Sequence, residues 1–404
     1  MGNKIANKNT NKKNNNNDIS SNTKTLKKIK DLNPSYIYCI SQVKYKDNYY
    51  TSIGLSGSKI EVYDTNNLDL VANYNSNKYI SPQYIHYLHD DTFILTGSSV
   101  YIFVIYKNKN FRGKDNKKSL SELKYNIDLL QEIKYPLQTY IGFYWSNILK
   151  SFIFDRNLYK KKDLYERYDE NQSINSKEEE LIINSDKGIL IFTRNKEKEN
   201  NDKKEEDNFN LYNYIKNWEN NPYIYKQNLS SINNYDIEQV NYQYIASTVD
   251  NYVLLYSMEE YEIVTKFEVR ISEHCYKIMF MLTDDILIIG GDNTITLISI
   301  KDFEVSLIST IKPNYRITEI CILPDSNIGI QNKDKYAKRE EFLYQYKYYS
   351  TVNKSTKRVE HNIYQISTEL LTKNNSNISF ECLNNYLIAI VDQRYILSYD
   401  IKLK

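Results

Sequence analysis

One short segment of the chain combines the side chains that proteins use to bind zinc. His86 and His89 are followed directly by Asp90 and Asp91, which gives the pattern H-x-x-H-D-D, and imidazole and carboxylate groups are common zinc ligands. The same residues also fit the end of a strand and its tight turn, and alternation along a strand would place His86 and His89 on opposite faces. We therefore predict no metal site and no bound cofactor at this segment.

Two other patterns contain groups that act in catalysis elsewhere. Gly54–Ser58 has the glycine and serine of a nucleophile elbow, but it lacks the G-x-S-x-G spacing and precedes a strand pattern, so it predicts a hairpin turn. Acidic runs occur at Glu178–Glu180, Glu205–Asp207 and Glu340–Glu341. We interpret them as loop charges, because no pocket is predicted that would raise the pKa of one carboxyl group. We therefore predict no catalytic residue and a protein that is not an enzyme.

The N-terminal segment carries the sharpest functional signal. Removal of Met1 would expose Gly2, the acceptor position for a myristoyl group, with Ala6 where Ser or Thr is preferred. A single acyl chain binds membranes only marginally, so a basic segment is the second signal that stable anchoring needs. Against the one acid Asp18, eight lysines precede Asp31: Lys4, Lys8, Lys12, Lys13, Lys24, Lys27, Lys28 and Lys30. Gly2 is thus a candidate lipidation site; the alternative is a polar tail whose glycine has no such role.

The bulk composition bounds the class of protein. The chain has 404 residues and a net charge of +2, from 53 basic and 51 acidic residues, whereas a nucleic-acid binder shows a strong basic excess or a basic face. We therefore expect no nucleic-acid partner. The four cysteines are far apart and form no C-x-x-C pattern, which indicates buried free thiols in a reducing compartment.

A recurrent pattern of two apolar runs separated by a tight polar step gives the clearest structural prediction. The seven steps begin at Gly57, Gly97, Asp186, Asp250, Asp292, Asn332 and Asp392. Gly57 and Gly97 are 40 residues apart, and Asp250 and Asp292 are 42 apart. A period near forty with strands on both sides is typical of β-propeller blades. The sequence therefore predicts an all-β fold, a seven-bladed propeller.

Apolar runs and turns place most of the blade boundaries. The strands of blade one are predicted at Tyr36–Tyr45, Tyr49–Leu55, Lys59–Tyr63 and Leu70–Tyr74. Blades four and five are the most regular, at about residues 236–270 and 274–312. Their alternating apolar residues bounded by polar turns are what half-buried strands require.

Three loop insertions interrupt this regularity. Blade three is predicted to begin at Leu137–Trp145 and to continue after an insertion over about residues 146–178, with Phe152–Asp155 as an extra hairpin inside it. A charge run at about 195–208 predicts a solvated loop. A third insertion is predicted at about 333–341, in blade six.

The two ends of the chain set the domain boundaries. Residues 1–23 are Asn- and Lys-rich and predict a disordered tail, and residues 24–404 are assigned to the propeller. The chain ends one strand short of completing blade seven, and closed propellers commonly take that strand from the other terminus. Thr23–Leu32 is the spare segment, although Leu26, Ile29 and Leu32 are three apart, which favours a helix. We expect closure by this segment despite that spacing.

At Tyr63-Asp64 and Tyr399-Asp400 the third strand of a blade ends in an aromatic residue followed by aspartate. Together with the turn aspartates, these dipeptides resemble the signature of the tryptophan–aspartate (WD) repeat family, with Tyr in place of Trp, over about residues 33–404. The resemblance implies a divergent WD-repeat propeller. It also implies a structural role in the turns for Asp186, Asp250, Asp292 and Asp392.

These features together predict a non-catalytic function, namely a rigid disc whose loops and edges bind other proteins as a scaffold or adaptor. This prediction depends in part on analogy between folds. One alternative is a membrane-associated adaptor, with Gly2 acylated and the lysine-rich tail on anionic lipid. A second is a propeller enzyme with His, Glu or Asp clustered in the central channel. We expect an intracellular, cytoplasmic location, and the sequence identifies no individual partner.

Overall fold

In the computed structural model of the chain, strands make up nearly all of the regular structure, as its many Tyr and Ile residues favour. The described part of the chain contains 28 strands and one helix. The structure describes residues 26–31, 36–45, 48–78, 80, 82, 84–88, 91–97, 99–111, 123–134, 148–154, 178–185, 188–195, 211–230, 236–269, 278–283, 285–290, 294–301, 304–312, 316–322, 328–333, 341–352, 359–372, 378–383, 386–391 and 395–400.

The strands of the described residues form seven four-stranded antiparallel sheets, which we number in chain order. A strand from the N-terminal region, which belongs to the last sheet, comes first: β1 (Leu26–Asp31). Sheet one contains β2 (Ile37–Tyr45), β3 (Asn48–Leu55), β4 (Lys59–Asp64) and β5 (Leu70–Asn75). Sheet two contains β6 (Tyr84–Tyr87), β7 (Thr92–Thr96), β8 (Val100–Lys107) and β9 (Tyr125–Ile133).

The helix lies in the connection between the third and fourth strands of sheet three. Sheet three contains β10 (Ile148–Phe154), β11 (Glu178–Ser185), β12 (Gly188–Asn195), the helix α1 (Leu211–Glu219) and β13 (Ile224–Ser230). Sheet four contains β14 (Asp236–Gln239), β15 (Tyr244–Val249), β16 (Tyr252–Ser257) and β17 (Glu262–Glu268).

The last three sheets complete the order. Sheet five contains β18 (Ile278–Thr283), β19 (Ile286–Gly290), β20 (Ile295–Lys301) and β21 (Glu304–Ile311). Sheet six contains β22 (Arg316–Ile322), β23 (Ile328–Lys333), β24 (Glu341–Val352) and β25 (Val359–Thr372). Sheet seven contains β26 (Ile378–Leu383), β27 (Tyr386–Val391), β28 (Tyr395–Asp400) and β1.

The first strands of the sheets contact one another in order and return to the start. Strand β2 contacts β6, β6 contacts β10, and the series continues through β14, β18, β22 and β26, which contacts β2 again. The sheets therefore surround a common centre, with the fourth strand of each sheet outermost. This arrangement is a closed β-propeller, and the prediction of an all-β propeller fold is confirmed.

The ring is closed by β1, which comes from the segment that the sequence indicated. It is a strand, whereas the spacing of its apolar residues favoured a helix. Strand β1 pairs antiparallel with β28, with Leu26 opposite Tyr399 and Asp31 opposite Tyr395. The helical conformation favoured by the spacing of Leu26 and Ile29 is therefore wrong. Pairing with β28 covers an otherwise open sheet edge, and this tertiary contact outweighs the local pattern.

The first strand of sheet three is also a correction. The predicted strand Leu137–Trp145 lies outside the described residues, and the observed first strand is β10. Its Phe152 lies opposite Ile182 of β11, so the Phe-Ile-Phe run belongs to the sheet and is not an extra hairpin. Phe154 is buried in a cluster shared with sheet four, which explains why this apolar run is the inner strand.

The hydrophobic core lies between the faces of neighbouring sheets. In the cluster between sheets one and two, Phe93 and Phe103 stack with ring centroids 5.4 Å apart. Comparable clusters join sheets two and three, three and four, and four and five. Sheets two, three and four are therefore buried on both faces, and for this reason their middle strands are almost wholly apolar.

The two faces of the ring carry different connections. In an antiparallel sheet successive connections alternate between the two ends, so the first-to-second and third-to-fourth connections lie on one face, here called the lower face. The longest connections are of these types: residues 155–177 and 196–223 in sheet three, and 108–124 in sheet two. The upper face carries the short second-to-third turns and the links between sheets.

Candidate functional site

Three of the tight steps, at Gly57, Gly97 and Asp250, lie in second-to-third turns on the upper face, whereas Asn332, the first residue of a fourth, lies within β23. Asp250 lies between β15 and β16, is exposed, and has a φ of 48°, which is in the left-handed region. Gly57 and Ser58 have φ values of 80° and 64° between β3 and β4. Three further turn aspartates, Asp186, Asp292 and Asp392, lie outside the described residues. A structural role for all four aspartates stays a prediction.

The segment with mixed metal-ligand types does not form a described metal site. His86 lies on β6, is half-buried, and stacks on Tyr84 with ring centroids 5.9 Å apart. His89 and Asp90 lie outside the described residues. Among the residues that the structure describes, no three His, Cys, Asp or Glu side chains are grouped as metal ligands.

The predicted hairpin turn at Gly54–Ser58 is confirmed, since β3 ends at Leu55 and β4 begins at Lys59. The Ser58 hydroxyl donates to the Ile80 carbonyl at 3.0 Å and accepts from the Ile80 amide at 2.6 Å. The hydroxyl therefore fixes the turn to the segment that leads into sheet two.

The acidic run at Glu178–Glu180 is not a loop, and that interpretation is wrong. The run begins β11, and Glu179 and Glu180 are only 3% and 2% exposed. Alternation along β11 directs Glu179 with Leu181 toward sheet two and Glu180 with Ile182 toward sheet four. Buried carboxylates need hydrogen-bonding partners, and each of these two has one from another strand or turn.

Glu180 connects sheet three with sheet four. Its carboxylate accepts hydrogen bonds from the Tyr261 hydroxyl and, at 3.2 Å, from the Lys226 ammonium of β13. Lys226 also donates to the Tyr261 hydroxyl at 2.7 Å and lies 3.6 Å from Glu178. Tyr261 belongs to the β16–β17 turn and has a φ of 58°, so its backbone adopts an uncommon conformation where its side chain crosses between the sheets.

The ionisation of this group follows from the same contacts. Burial and the hydrogen bond to Glu180 raise the pKa of Tyr261. Burial lowers the pKa of Lys226, but the hydrogen bond to Tyr261 and the charge of Glu180 raise it more, so the net direction is upward. At neutral pH Lys226 is therefore charged and Tyr261 is protonated, and both remain donors to Glu180.

Glu179 belongs to a second group, which attaches the connection of residues 196–223 to sheet two. The Tyr223 hydroxyl donates to Glu179, while the Tyr223 amide donates to the Gln131 side-chain oxygen at 3.0 Å. Gln131 of β9 also accepts from the Trp218 indole at 3.2 Å and donates to the Tyr223 carbonyl at 2.9 Å. One glutamine therefore satisfies three polar groups of this connection.

Arg194 completes this group. Its guanidinium lies 3.5 Å from the centroid of the buried Trp218 ring, and its Nε donates to the Asn221 carbonyl at 3.0 Å. Asn221 in turn donates from its side chain to the Asn195 carbonyl. Arg194 is only 5% exposed, and its guanidinium contacts the aromatic face of Trp218 and the Asn221 carbonyl. We call Gln131, Arg194, Trp218, Asn221 and Tyr223 the helix clamp.

The helix clamp holds α1 against sheet two and leaves one side of the helix in solvent. Trp218 is 1% exposed, whereas Tyr212, which lies off the buried face of the helix, is 70% exposed. The sequence analysis missed α1, although a signal for it exists. Leu211, Tyr214, Ile215 and Trp218 have the spacing of one helical face, within a stretch that was assigned no structure.

Sheet six adds a second projection to the lower face. Strand β24 pairs with β23 only as far as Tyr346, whereas its pairing with β25 continues to Val352 opposite Val359. The residues from Lys347 to Val352 thus form a two-stranded ribbon about 20 Å long beyond the sheet. Val352 at its end is 64% exposed.

The comparisons with known proteins concern the fold. No family model matches the chain, and no curated protein matches it. The chain is similar to a solved structure described as the β-propeller domain of Cps50 (Swd1) from Myceliophteria thermophila. That match has 7% identity and a TM-score of 0.54, and it covers 93% of this chain and 99% of the other.

Two further solved structures give the same result. A chain of the mitotic checkpoint complex matches with 9% identity and a TM-score of 0.54, covering 100% of this chain and 98% of the other. A chain of BBS1N in complex with ARL6DN matches with 10% identity and a TM-score of 0.52, covering 91% and 93%. At these identities the likeness shows the propeller fold alone.

No described helix is long and apolar enough to cross a membrane.

Proposed function

We propose that this chain is a non-catalytic protein-interaction scaffold of the WD-repeat type, which binds partners through its lower face. The observation that carries the proposal is the helix clamp. The buried charge of Arg194, the buried indole of Trp218 and the half-buried amide of Gln131 hold α1 in one position. A rigidly presented helix lowers the entropic cost of binding another protein.

The exposed apolar residues of the same face support the proposal. Tyr212 on α1 and Val352 on the ribbon of sheet six are 70% and 64% exposed. Both lie on elements at third-to-fourth connections, that of sheet three and that of sheet six. Aromatic side chains are enriched in protein interfaces, so we propose these two side chains as anchors for a partner.

The similar structures agree with an interaction function. The names of two of them describe assemblies, one of BBS1N with ARL6DN and one a mitotic checkpoint complex. We propose the same class of function, binding of other proteins, for this chain in a reducing, cytoplasmic compartment.

The test is affinity capture with the tagged full-length chain in three forms. The wild type is compared with Tyr212→Glu/Val352→Glu on the lower face and with Lys312→Glu, which changes an exposed residue after β21 on the upper face. We expect the double variant to lose about 90% of at least one partner that Lys312→Glu retains. Equal recovery of every partner by all three forms, with unchanged thermal unfolding, would contradict the proposal.

A second candidate function is a membrane-associated adaptor, and the position of β1 favours it. Leu26 lies opposite Tyr399 at the lower end of β28, so the lysine-rich segment ahead of β1 joins the ring at the lower face. Lys27, Lys28 and Lys30 are part of β1 itself, which leaves Lys4, Lys8, Lys12, Lys13 and Lys24 for lipid. Intact-mass measurement should show a myristoyl group on Gly2; an acetylated or unmodified terminus would end this candidate.

A further inference from the structure

The outer part of the interface between sheets three and four is open. Ile224 lies opposite Thr193 of β12 and is 64% exposed, and Ile263 lies opposite Tyr256 of β16 and is 47% exposed. Deeper in the same interface Tyr256 and Ile191 are fully buried. The two sheets are therefore packed near the centre and separate toward the rim.

Register shows that the two isoleucines face each other across this opening. Thr193 is on the same side of β12 as Ile191, which packs against sheet four, so Ile224 opposite Thr193 also faces sheet four. Ile263 opposite Tyr256 faces sheet three by the same argument. The hydrogen bonds among Glu180, Lys226 and Tyr261 cross between the sheets at this place and form the floor of the opening. We call it the rim groove.

The edges of the rim groove are acidic. Glu178 on β11 is exposed. It lies two residues before Glu180 in the strand, so both side chains face sheet four. On the opposite side the β16–β17 turn carries Glu259 and Glu260, both exposed. Two described cations face the groove: Lys226, which already contacts Glu178 and Glu180, and Lys266 opposite Leu254, whose ammonium lies 3.8 Å from the centroid of the Tyr252 ring. The rim is thus net negative around an apolar centre.

We infer that the rim groove binds an extended segment of another protein in which an aliphatic side chain is flanked by Lys or Arg residues. The inference rests on the proposed function and names the chemistry of one partner. The aliphatic side chain would pack between Ile224 and Ile263, and the basic residues would meet Glu178, Glu259 and Glu260. At the floor of the groove single side chains of sheets three and four bond to each other, so the space above them admits a side chain but not a helix about 10 Å wide.

The direct test is fluorescence anisotropy of the full-length chain with a labelled synthetic peptide, Lys-Arg-Ser-Val-Ile-Val-Ser-Arg-Lys. Peptides with Glu and Asp in the basic positions, or with Ser in place of the central Ile, are the ligand controls. We expect saturable binding of the basic apolar peptide alone, weakened by about tenfold or more when the ionic strength is raised to about 1 M, where charges are screened beyond about 3 Å.

Variants of the apolar centre and of the acidic edge test whether the peptide binds at the rim groove. Ile224→Ser/Ile263→Ser and Glu259→Lys/Glu260→Lys should each weaken the peptide by about tenfold or more. The matched controls lie on β21, the outer strand of sheet five. Leu307→Ser changes an aliphatic residue that is 54% exposed, and Glu304→Lys changes an exposed first residue of a strand. Both controls should bind the peptide as the wild type does.

Three outcomes would overturn the inference. The first is equal binding of the basic and acidic peptides, and the second is equal weakening by the control variants. The third is tighter binding after Lys4, Lys8, Lys12 and Lys13 are changed to Gln, which would mean that the basic N-terminal segment of the chain itself occupies the groove. If partner capture still depends on Tyr212 and Val352 in any of these cases, the groove inference fails and the proposed function stands.

Discussion

Gly54 is a residue whose lack of a side chain is required by close packing between sheets. A Cβ atom at this position would lie 2.6 Å from Cys39 Sγ and 2.6 Å from Pro82 Cβ. Both distances are shorter than van der Waals contact allows. The backbone of β3 therefore approaches the link between sheets one and two more closely than any other residue type permits.

We expect Gly54→Ala to lower the free energy of unfolding by about 1–3 kcal/mol, because the added methyl group overpacks a buried site. Urea unfolding monitored by tryptophan fluorescence measures the change. Cys39→Ala/Gly54→Ala should lose less stability than the sum of the single variants, since one of the two close contacts is removed. Strict additivity would show that Sγ is not the group that resists the methyl group.

The Cys39 thiol is buried, and burial raises its pKa from 9.0 to about 12. A raised pKa in the folded chain means that the neutral thiol is favoured by folding. The thiol's contribution to the free energy of unfolding is fully present below about pH 9 and is lost as the pH rises toward 12. Unfolding exposes the thiol, whose pKa then returns to its ordinary value.

Wild type should accordingly lose more stability than Cys39→Ala between pH 7 and about pH 10.5, by about 1–2 kcal/mol. Urea unfolding of both proteins at the two pH values measures the difference, and the cysteines that they share cancel. Alkylation of Cys39 by iodoacetamide should follow the same rule, slow in buffer at pH 8.5 and fast in urea. An equal pH dependence of the two proteins would contradict a buried neutral thiol.

Helix α1 is an element whose position is set by side chains of other elements. Its own nine residues are too few for a stable isolated helix. Trp218, Arg194 and Gln131 supply the missing stability by stacking and hydrogen bonding across sheets two and three. The helix is therefore expected to depend on the clamp more than on its own sequence.

Gln131→Leu should lower the free energy of unfolding by about 2–3 kcal/mol, because the Trp218 indole and the Tyr223 backbone lose their partner while remaining buried. Hydrogen exchange should also rise first in α1, before the strands of sheet five. Gln227→Leu is the matched control, a half-buried glutamine on β13 outside the clamp. Equal effects of both changes would show that Gln131 has no special role in holding α1.

The group formed by Glu180, Lys226 and Tyr261 acts between elements in the same way. Its members come from β11, β13 and the β16–β17 turn, and the contacts cross between neighbouring sheets. Such a group is costly if one member is removed, because a buried carboxylate then lacks a donor. It explains how sheets three and four remain fixed where their outer strands separate at the rim groove.

The ring as a whole depends on one strand from the N-terminal region. Without β1, the outer edge of β28 would be open and the last sheet would have three strands among the described ones. The first strands of all seven sheets contact their neighbours around the ring, so weakening one sheet is expected to weaken the closure.

Lys28→Pro and Ile29→Pro form a matched pair that tests this closure. Neighbouring residues of an edge strand direct their N–H groups to opposite sides, so one of the two amides points at β28 and the other away from it. Proline at the paired position should cost about 3 kcal/mol, and proline at the other much less. Thermal unfolding of the two variants gives the comparison. Two equally mild effects would mean that β1 contributes little to the stability of the ring.

The sequence by itself determined the elements whose partners are near in the chain. Strands of sheet one were predicted at Tyr36–Tyr45 and Lys59–Tyr63 and are observed at Ile37–Tyr45 and Lys59–Asp64. Sheet four was predicted over residues 236–270 and is observed over 236–268. Alternating apolar residues and tight turns are local signals, so they can be interpreted without knowledge of the rest of the fold.

Only the tertiary structure decided features that depend on partners far along the chain. Tyr261 and Glu180 are 81 residues apart, and Trp218 and Gln131 are 87 apart. No local pattern predicts that Glu179 and Glu180 are buried, that a segment with helical spacing pairs with the last strand, or that two isoleucines face an acidic rim. Burial and strand pairing depend on contacts between distant segments, and these contacts form only when the ring closes.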